Sequence, residues 1–326
     1  MEDTNLNLTE SEVAASAVQS GEKETFSEKT KKFFKGLGPF FKKCWHNFTH
    51  MKRKTVADIF VWIILALGAF VVLIPFIWMI LATFKDATEI YASNIFPKKW
   101  TGENYALMWE RVDLLRGFLN SFLTTVPVVL VQVVVSAMAA YAFAKLDFKG
   151  KNSLFLVMLS TMMVPFAVVM LPQAWLFGRL GLTEGPLAVI IPKLFGSITT
   201  VFFLRQFLYG IPKSISEAAL LDGAGYTRIF VSIILPLIMP ALATQFILSF
   251  IGNWNDYLGP MLFINDEAWY TLPLMVNSLN KNSGGTATAI PQTLAASLIS
   301  LIPIVIVFAV FQKKIIGSIV FSAVKG

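Results

Sequence analysis

The residues best suited to bind a solute lie in one short segment of an otherwise apolar chain. Five consecutive positions supply two amides, a carboxylate and two aromatic rings: Asn253, Trp254, Asn255, Asp256 and Tyr257. Amides and carboxylates form hydrogen bonds with hydroxyl groups, and aromatic faces pack against C–H surfaces. This combination predicts recognition of a hydroxyl-rich solute such as a sugar. An aromatic belt at a membrane surface explains the same residues equally well.

Other polar side chains interrupt the long uncharged stretches, where burying a polar group is costly. Two of them, Asn120 and Gln173, join residues 253–257 as candidates for lining a solute path. Taken singly, each suits hydrogen bonding between helices better than contact with cargo, because such bonds are common in bundles. The scarcity of buried cations argues against an anionic cargo. The remaining polar residues of this kind are Gln132, Thr199, Thr200, Gln245 and Gln292.

A second polar segment follows Pro212, which should end the preceding helix because it lacks an N–H group. Ser214 and Glu217 are three residues apart, the spacing of a reciprocal cap at a helix N-terminus. Small, helix-forming residues come next, and Gly223 or Gly225 can supply the left-handed residue that ends a helix. These signals predict a short helix of about two turns.

The composition is that of an integral membrane protein. The 326 residues are 56% hydrophobic and 14% charged, with a mean hydropathy of +0.66, whereas soluble domains have about 25% charged residues. One cysteine and two histidines provide neither an internal disulfide framework nor enough ligands for a metal site. The glycine-rich phosphate loop of ATP-binding proteins does not occur. We therefore expect no cofactor in this chain, and any ATP-driven work would need a partner.

Six apolar stretches approach or exceed the roughly 20 residues that a membrane-spanning helix needs. Five of them contain no charged residue, and the sixth contains Lys193, which we expect to extend to the lipid headgroups. The sequence thus predicts an all-α integral membrane protein with six transmembrane helices. The stretches are residues 59–84, 117–144, 152–178, about 186–204, 229–255 and 282–312.

The distribution of basic residues predicts the orientation in the membrane. With six spans, both termini lie on the same side. That side carries 19 of the 27 Lys and Arg residues, ten of them within residues 1–55, which leaves 8 for the opposite side. Because cytoplasmic loops are enriched in Lys and Arg, both termini are predicted to be cytoplasmic. The short helix after Pro212 falls on this side too.

The chain before the first span differs in composition from the rest. Residues 1–30 are rich in Ser, Thr and Glu without an apolar period, which predicts a disordered tail. In residues 31–55 lysines alternate with aromatic residues, which predicts an amphipathic helix on an anionic membrane surface. A disordered basic tail is the alternative. The third region, residues 56–326, contains the six spans and, at about 205–236, the second polar segment.

That second segment resembles the cytoplasmic coupling loop of binding-protein-dependent ABC importer permeases. Further likeness occurs at residues 203–207, 254–257, 270–274 and 323–326. From about residue 56 onward, the chain is similar to the MalG-type permeases of carbohydrate ABC importers. The residues that match the coupling-loop pattern are Glu217, Ala218, Ala219, Gly223, Ile233, Leu235 and Pro236.

The resemblance implies a type I ABC importer permease fold, in the cell membrane (inner or cytoplasmic) of a prokaryote. It also implies partners: a second homologous permease, two ATPase subunits that hold ATP and Mg, and an extracytoplasmic solute-binding protein. The chain itself would catalyse no reaction, would bind no nucleic acid, and would move a sugar, most simply a di- or oligosaccharide. Glycerol phosphate or a polyol is the alternative cargo. The residues expected to couple the chain to the ATPase are Ser214, Glu217, Ala218, Ala219, Asp222, Gly223, Ile233, Leu235 and Pro236.

Two other classes of membrane protein fit the sequence less well. An ion-coupled carrier usually keeps buried charged residues as coupling sites, whereas the six apolar stretches hold Lys193 alone. A membrane enzyme would need a group of His, Asp or Glu side chains within the spans, and the apolar stretches contain none.

Overall fold

The computed structural model describes residues 56–282 and 289–323, with side chains except at positions 56, 57, 282 and 313–323. The predictions for residues 1–30 and 31–55 therefore lie outside the described residues. The chain divides into two compact units, residues 1–73 and 74–326. In the first unit, the described residues are the beginning of a long helix. The second unit contains the remaining helices and both polar segments.

Within the described ranges the chain forms helices and turns, with no β-strand. Short 3₁₀ turns occur at Ala87–Glu89, Thr161–Met163 and Glu267–Trp269. The α-helices are α1 (Val56–Thr83), α2 (Glu103–Arg111), α3 (Leu114–Lys145), α4 (Lys151–Ser160), α5 (Phe166–Arg179), α6 (Leu187–Leu194), α7 (Ile198–Tyr209), α8 (Lys213–Leu221), α9 (Tyr226–Leu237), α10 (Met239–Trp254), α11 (Leu258–Phe263), α12 (Leu272–Asn282) and α13 (Ile290–Ala323).

Length and composition support six spans. Four helical stretches in the described chain are long and apolar enough by themselves: Asp58–Thr83, Leu114–Lys145, Leu187–Tyr209 and Ile290–Gln312. Two further stretches are pairs of helices bent at a short break, α4 with α5 by 93° and α9 with α10 by 78°. With each bent pair counted as one span the total is six, in agreement with the prediction from the apolar stretches.

Three of these stretches are broken, and two of the breaks have an evident local cause. Pro165 lies in the extended region before α5 and cannot continue the helix that precedes it, because it has no N–H to donate. Between α6 and α7, Gly196 has a φ of +96°, a backbone conformation that residues other than glycine rarely adopt. The Ser136 hydroxyl on α3 accepts a hydrogen bond from the N–H of Ser197 at 2.9 Å. This contact holds the second break against α3.

Helix α3 lies at the centre of the second unit and packs against α6, α7, α10 and α12. One of its faces presents small buried side chains, among them Ala137, Ala140 and Ala144. They recur at steps of three and four residues, which aligns them on one face. Leu204 and Leu208 of α7 are fully buried in the same cluster. Small residues let membrane helices approach closely and gain van der Waals contact.

The faces turned away from this core are also apolar. Phe122 and Leu123 on α3 are 56% and 55% exposed, and Trp175 on α5 is 65% exposed. Exposed apolar surface of this extent is uncommon on soluble proteins. It suits contact with lipid or with the helices of another membrane subunit.

Candidate functional site

Helix α8 carries the motif of the predicted coupling loop. It begins at Lys213, directly after Pro212, and no side chain caps its first turn. Pro212 has extended backbone (ψ 139°) and is itself the N-cap residue, so the helix starts two residues earlier than a cap at Ser214 would require. Ser214 lies inside the helix, and the predicted reciprocal cap between Ser214 and Glu217 is therefore wrong. Both side chains are exposed instead.

Helix α8 ends as predicted, and Gly223 is the residue that ends it. Its φ is +80°, whereas Gly225 is extended with a φ of −72°. The N–H of Gly223 donates to the carbonyl of Leu220 at 3.0 Å, and that of Ala224 to Ala219 at 2.9 Å. This pair of bonds is a Schellman motif. It closes the helix without help from another element.

The two faces of α8 differ in burial. Ala219 is buried against the rest of the chain, whereas Glu217, Ala218 and Asp222 are exposed. Leu221 is 90% exposed. Helix α8 therefore combines carboxylates and an apolar side chain on one accessible surface.

The second part of the motif lies on α9. Residues Phe230–Ile234 form a π-helical stretch, in which the N–H of Leu235 bonds to the carbonyl of Phe230. Ile233 and Leu235 are half-buried and Pro236 is exposed. Ile229 and Ile234 are fully buried in the core cluster. These core contacts anchor α9 and with it the loop that carries α8.

A small polar cavity of about 200 Å³ lies behind α8. Its lining includes Lys145, Lys213, Ser216 and Glu217. Lys145, at the end of α3, donates from Nζ to the carbonyl of Ile211 at 2.6 Å. This bond ties the end of the central helix to the turn that leads into α8.

The predicted solute-binding residues divide into buried and accessible side chains. Trp254 is 2% exposed, its ring stacks on Phe250 with centroids 5.6 Å apart, and its Nε1 donates to Ser300 O at 3.1 Å. The structure thus places Trp254 in the core, where its faces are covered by protein. Asn253 donates to the carbonyl of Ser249 on its own helix at 2.8 Å.

Asn255, Asp256 and Tyr257 line a cleft of about 420 Å³ together with Lys193. An adjoining cavity of about 270 Å³ shares Lys193 and Asp256 and adds Gln173. Both volumes together are in the range of small-molecule sites. The structure therefore brings four of the predicted solute-path residues to one place, at the junction of α5, α6 and the segment after α10.

Lys193 is the residue of this cleft whose role was wrongly predicted. Its Nζ lies 2.6 Å from Asp256 Oδ2, with the two side chains 28% and 23% exposed. The lysine is held by a carboxylate within the protein instead of pointing away from it. The available signal was its position as the single charge within an apolar stretch, since such charges usually have a protein partner.

Asn120 lies elsewhere and has a structural contact. Its Nδ2 donates to the carbonyls of Ala268 and Tyr270 at 2.9 and 3.0 Å, and its side chain is buried. The neighbouring Ser121 hydroxyl accepts from the N–H of Leu272 at 2.7 Å. These bonds attach the segment before α12 to α3. For Asn120 they correspond to the alternative to contact with cargo, which was hydrogen bonding within the bundle.

Comparison with known proteins places this arrangement in a family. Residues 132–317 match the family model described as binding-protein-dependent transport system inner membrane component. The arabinooligosaccharides transport system permease protein AraQ of Halalkalibacterium halodurans is 35% identical over 284 residues, which cover 85% of this chain and all of that protein. The diacetylchitobiose uptake system permease protein NgcG of Streptomyces coelicolor is 31% identical, with 78% and 85% covered.

A third relative is the sn-glycerol-3-phosphate transport system permease protein UgpE of Yersinia pestis, 30% identical with 81% and 96% covered. Among solved structures, a bacterial ABC transporter involved in the import of the acidic polysaccharide alginate has the same fold, with a TM-score of 0.67 and 21% identity. The match covers 81% of this chain and 99% of that one. The family predicted from the coupling-loop residues is thus confirmed: the chain belongs to the binding-protein-dependent transport system inner membrane components.

Proposed function

We propose that this chain is a transmembrane permease subunit of an ATP-driven importer whose cargo is a di- or oligosaccharide. The observation that carries the proposal is helix α8, which presents Glu217 and Leu221 on an accessible surface and is closed by its own hydrogen bonds. Such a helix can move as a rigid body with a partner that binds it. ATP and Mg would be held by that partner, an ATPase subunit, in two copies.

Coupling needs a connection between α8 and the membrane helices. Helix α9 supplies it through its buried Ile229 and Ile234, and α3 supplies it through the Lys145 bond to Ile211. Movement of α8 would therefore displace the ends of two membrane helices. The apolar outer faces of the chain favour a second permease subunit as the neighbour in the membrane.

The cleft around Asp256 is the proposed solute path. Gln173, Asn255 and Tyr257 bring amide and hydroxyl groups to its walls, and hydroxyl-rich solutes are bound by such groups. An extracytoplasmic binding protein would deliver the solute from the side opposite α8. This direction agrees with the basic-residue asymmetry, which favours cytoplasmic termini.

The cargo is argued from the relatives and the cleft together. AraQ and NgcG are named for oligosaccharide transport, and the mostly apolar cleft walls carry three uncharged polar side chains, Gln173, Asn255 and Tyr257. The similarity to UgpE supports glycerol phosphate as a second candidate. A polyol would use the same groups as a saccharide.

The proposal is tested with the complete complex in proteoliposomes, with the binding protein outside and ATP inside. The probes are arabinotriose, diacetylchitobiose, maltotriose and sn-glycerol 3-phosphate, each radiolabelled. We expect ATP-dependent uptake of at least one saccharide and none when ATP is replaced by ADP. Uptake of glycerol phosphate alone would select the second candidate. Uptake that persists without ATP would contradict the importer assignment.

A further inference from the structure

We propose that Lys193 is a specificity-determining residue of the solute path, and that Lys193 and Asp256 together bind the hydroxyl groups of an uncharged saccharide and disfavour anionic solutes. The inference rests on the proposed function and adds to it a residue pair and a charge rule. It is carried by the geometry of this pair, by the way Gly259 positions it and by the charge of the cleft.

The lysine of the pair lies within a candidate membrane span. Lys193 is the seventh residue of the candidate span Leu187–Tyr209. At about 1.5 Å per residue it is about 9 Å along the helix from Leu187, close to the break at Gly196. An ionised side chain at this depth is costly unless it is paired, and intramembrane charges commonly mark solute pathways. Broken helices are also a common construction at the solute sites of transporters.

The pair leaves hydrogen-bond donors and acceptors available. A lysine ammonium has three N–H donors, and Asp256 Oδ2 is its one acceptor among the described residues. Asp256 Oδ1 accepts from the N–H of Gly259 at 3.1 Å, and each carboxylate oxygen retains a further lone pair. The pair therefore offers both donors and acceptors to the cleft. A sugar hydroxyl is itself both donor and acceptor, so it can bridge the two groups without separating them.

The backbone is shaped to hold the carboxylate. A Cβ atom at Gly259 would lie 2.7 Å from Asp256 Oδ2, the same oxygen that contacts Lys193. Any side chain at position 259 would therefore displace the carboxylate from the lysine. The position of Asp256 therefore depends on a glycine at position 259. An ion pair on an open surface would not need such a glycine.

The charge of the site is the remaining observation. Lys193 and Asp256 are the charged residues among those that line the cleft and its adjoining cavity, so their charges cancel. An anionic solute would have to compete with Asp256 for the ammonium and would meet the carboxylate at close range. Such like-charge contacts are strongly unfavourable in a partly buried site. An uncharged saccharide meets neither penalty.

The test compares two double variants that both remove the charges. In Lys193→Gln/Asp256→Asn the hydrogen-bonding groups remain, whereas in Lys193→Met/Asp256→Leu they are replaced by apolar groups of similar size. Uptake of the saccharide probes above is measured in proteoliposomes at equal amounts of assembled complex. We expect both variants to be slower than wild type, and the apolar variant to be at least about tenfold slower than the amide variant. Equal rates in the two variants would reduce the pair to a structural contact and overturn the inference.

The charge rule has its own measurement. Saturation-transfer NMR on the complex in nanodiscs detects direct binding of arabinotriose, diacetylchitobiose, maltotriose and sn-glycerol 3-phosphate. Wild type should bind a saccharide in preference to glycerol phosphate. Asp256→Asn, which leaves Lys193 without its counter-ion, should reverse this order, and Gly259→Ala should shift it in the same direction. The control Gly178→Ala, where none of the described residues comes within 4 Å of an added Cβ, should not.

The outcomes separate this inference from the proposed function. A wild-type complex that imports a saccharide but keeps the same order of probes in Asp256→Asn would overturn the role of the pair alone. A wild-type complex that imports none of the saccharides would contradict the proposed cargo itself, and the charge rule with it.

Discussion

Trp254 donates a hydrogen bond from Nε1 to the carbonyl of Ser300 at 3.1 Å and thereby joins the end of α10 to α13. The indole also stacks on Phe250 and contacts Phe118 of α3. Asn255 and Asp256 follow directly in the chain. The tryptophan thus anchors the point from which the cleft-lining segment leaves the helix, and in the proposed solute path it would act through the position of that segment.

We expect Trp254→Ala to destabilise the protein by about 3–5 kcal/mol, because it leaves a large cavity in a packed core. Trp254→Phe keeps most of the ring but removes the Nε1 donor to the Ser300 carbonyl, at about 0.5–1.5 kcal/mol. The measurement is the thermal unfolding of the purified complex. Asn255→Ala, at the exposed neighbouring position, is the control. Equal stability of Trp254→Ala and this control would contradict the core role.

The turn at Gly223 gives a second prediction. No atom of the described residues lies within 4 Å of an added Cβ there, so the cost of Gly223→Ala within this part of the chain is the left-handed backbone alone, about 1–2 kcal/mol. Gly223→Asp adds a charge at the proposed contact with the ATPase. We expect both variants to insert in the membrane and Gly223→Asp to abolish stimulation of ATP hydrolysis by loaded binding protein.

Gly225 provides the matched control for this experiment. It lies in the same loop, is equally open, and has an ordinary negative φ. Gly225→Asp should retain substantially more stimulation than Gly223→Asp. If the two aspartate variants lose stimulation equally, charge anywhere in the loop is sufficient and the special role of the α8 terminus is wrong.

Glu217 is exposed and makes no described contact that stabilises the fold. Glu217→Ala should therefore change the free energy of unfolding by less than about 0.5 kcal/mol. In the assembled complex we expect a large loss of stimulated ATP hydrolysis, since truncating one member of a charged pair that is buried on docking costs about 2–5 kcal/mol. Glu110→Ala, on the exposed surface of α2, is the control. Full stimulation in Glu217→Ala would contradict its coupling role.

The proposed orientation is testable by labelling. In a background with Cys44→Ser, single cysteines are introduced as Lys149→Cys, between α3 and α4, and as Lys99→Cys, before α2. Both side chains are exposed. With cytoplasmic termini, a membrane-impermeant maleimide added to intact cells should label only Lys99→Cys. The reverse pattern would invert the topology and place α8 outside, which would also exclude a cytoplasmic ATPase as its partner.

Several features of this protein followed from the sequence by itself, because their causes are local. The length of an apolar stretch decides whether a helix can span a bilayer, so the six spans were predictable although three of them are broken. The glycine that ends α8 was predicted as one of two residues, Gly223 or Gly225, since the left-handed turn needs no partner. The family followed from the spacing of residues in one loop.

The tertiary structure alone decided how distant residues meet. Lys193 and Asp256 are 63 positions apart, and Asn120 reaches residues 148 and 150 positions away, so no local pattern could pair them. Trp254 carries the same aromatic ring whether it faces a solute or a core, and only packing distinguishes the two. Even the start of α8 depended on the backbone angle at Pro212. Helix propensity acts within a few residues, whereas these choices depend on which surfaces compete for contact after the helices assemble.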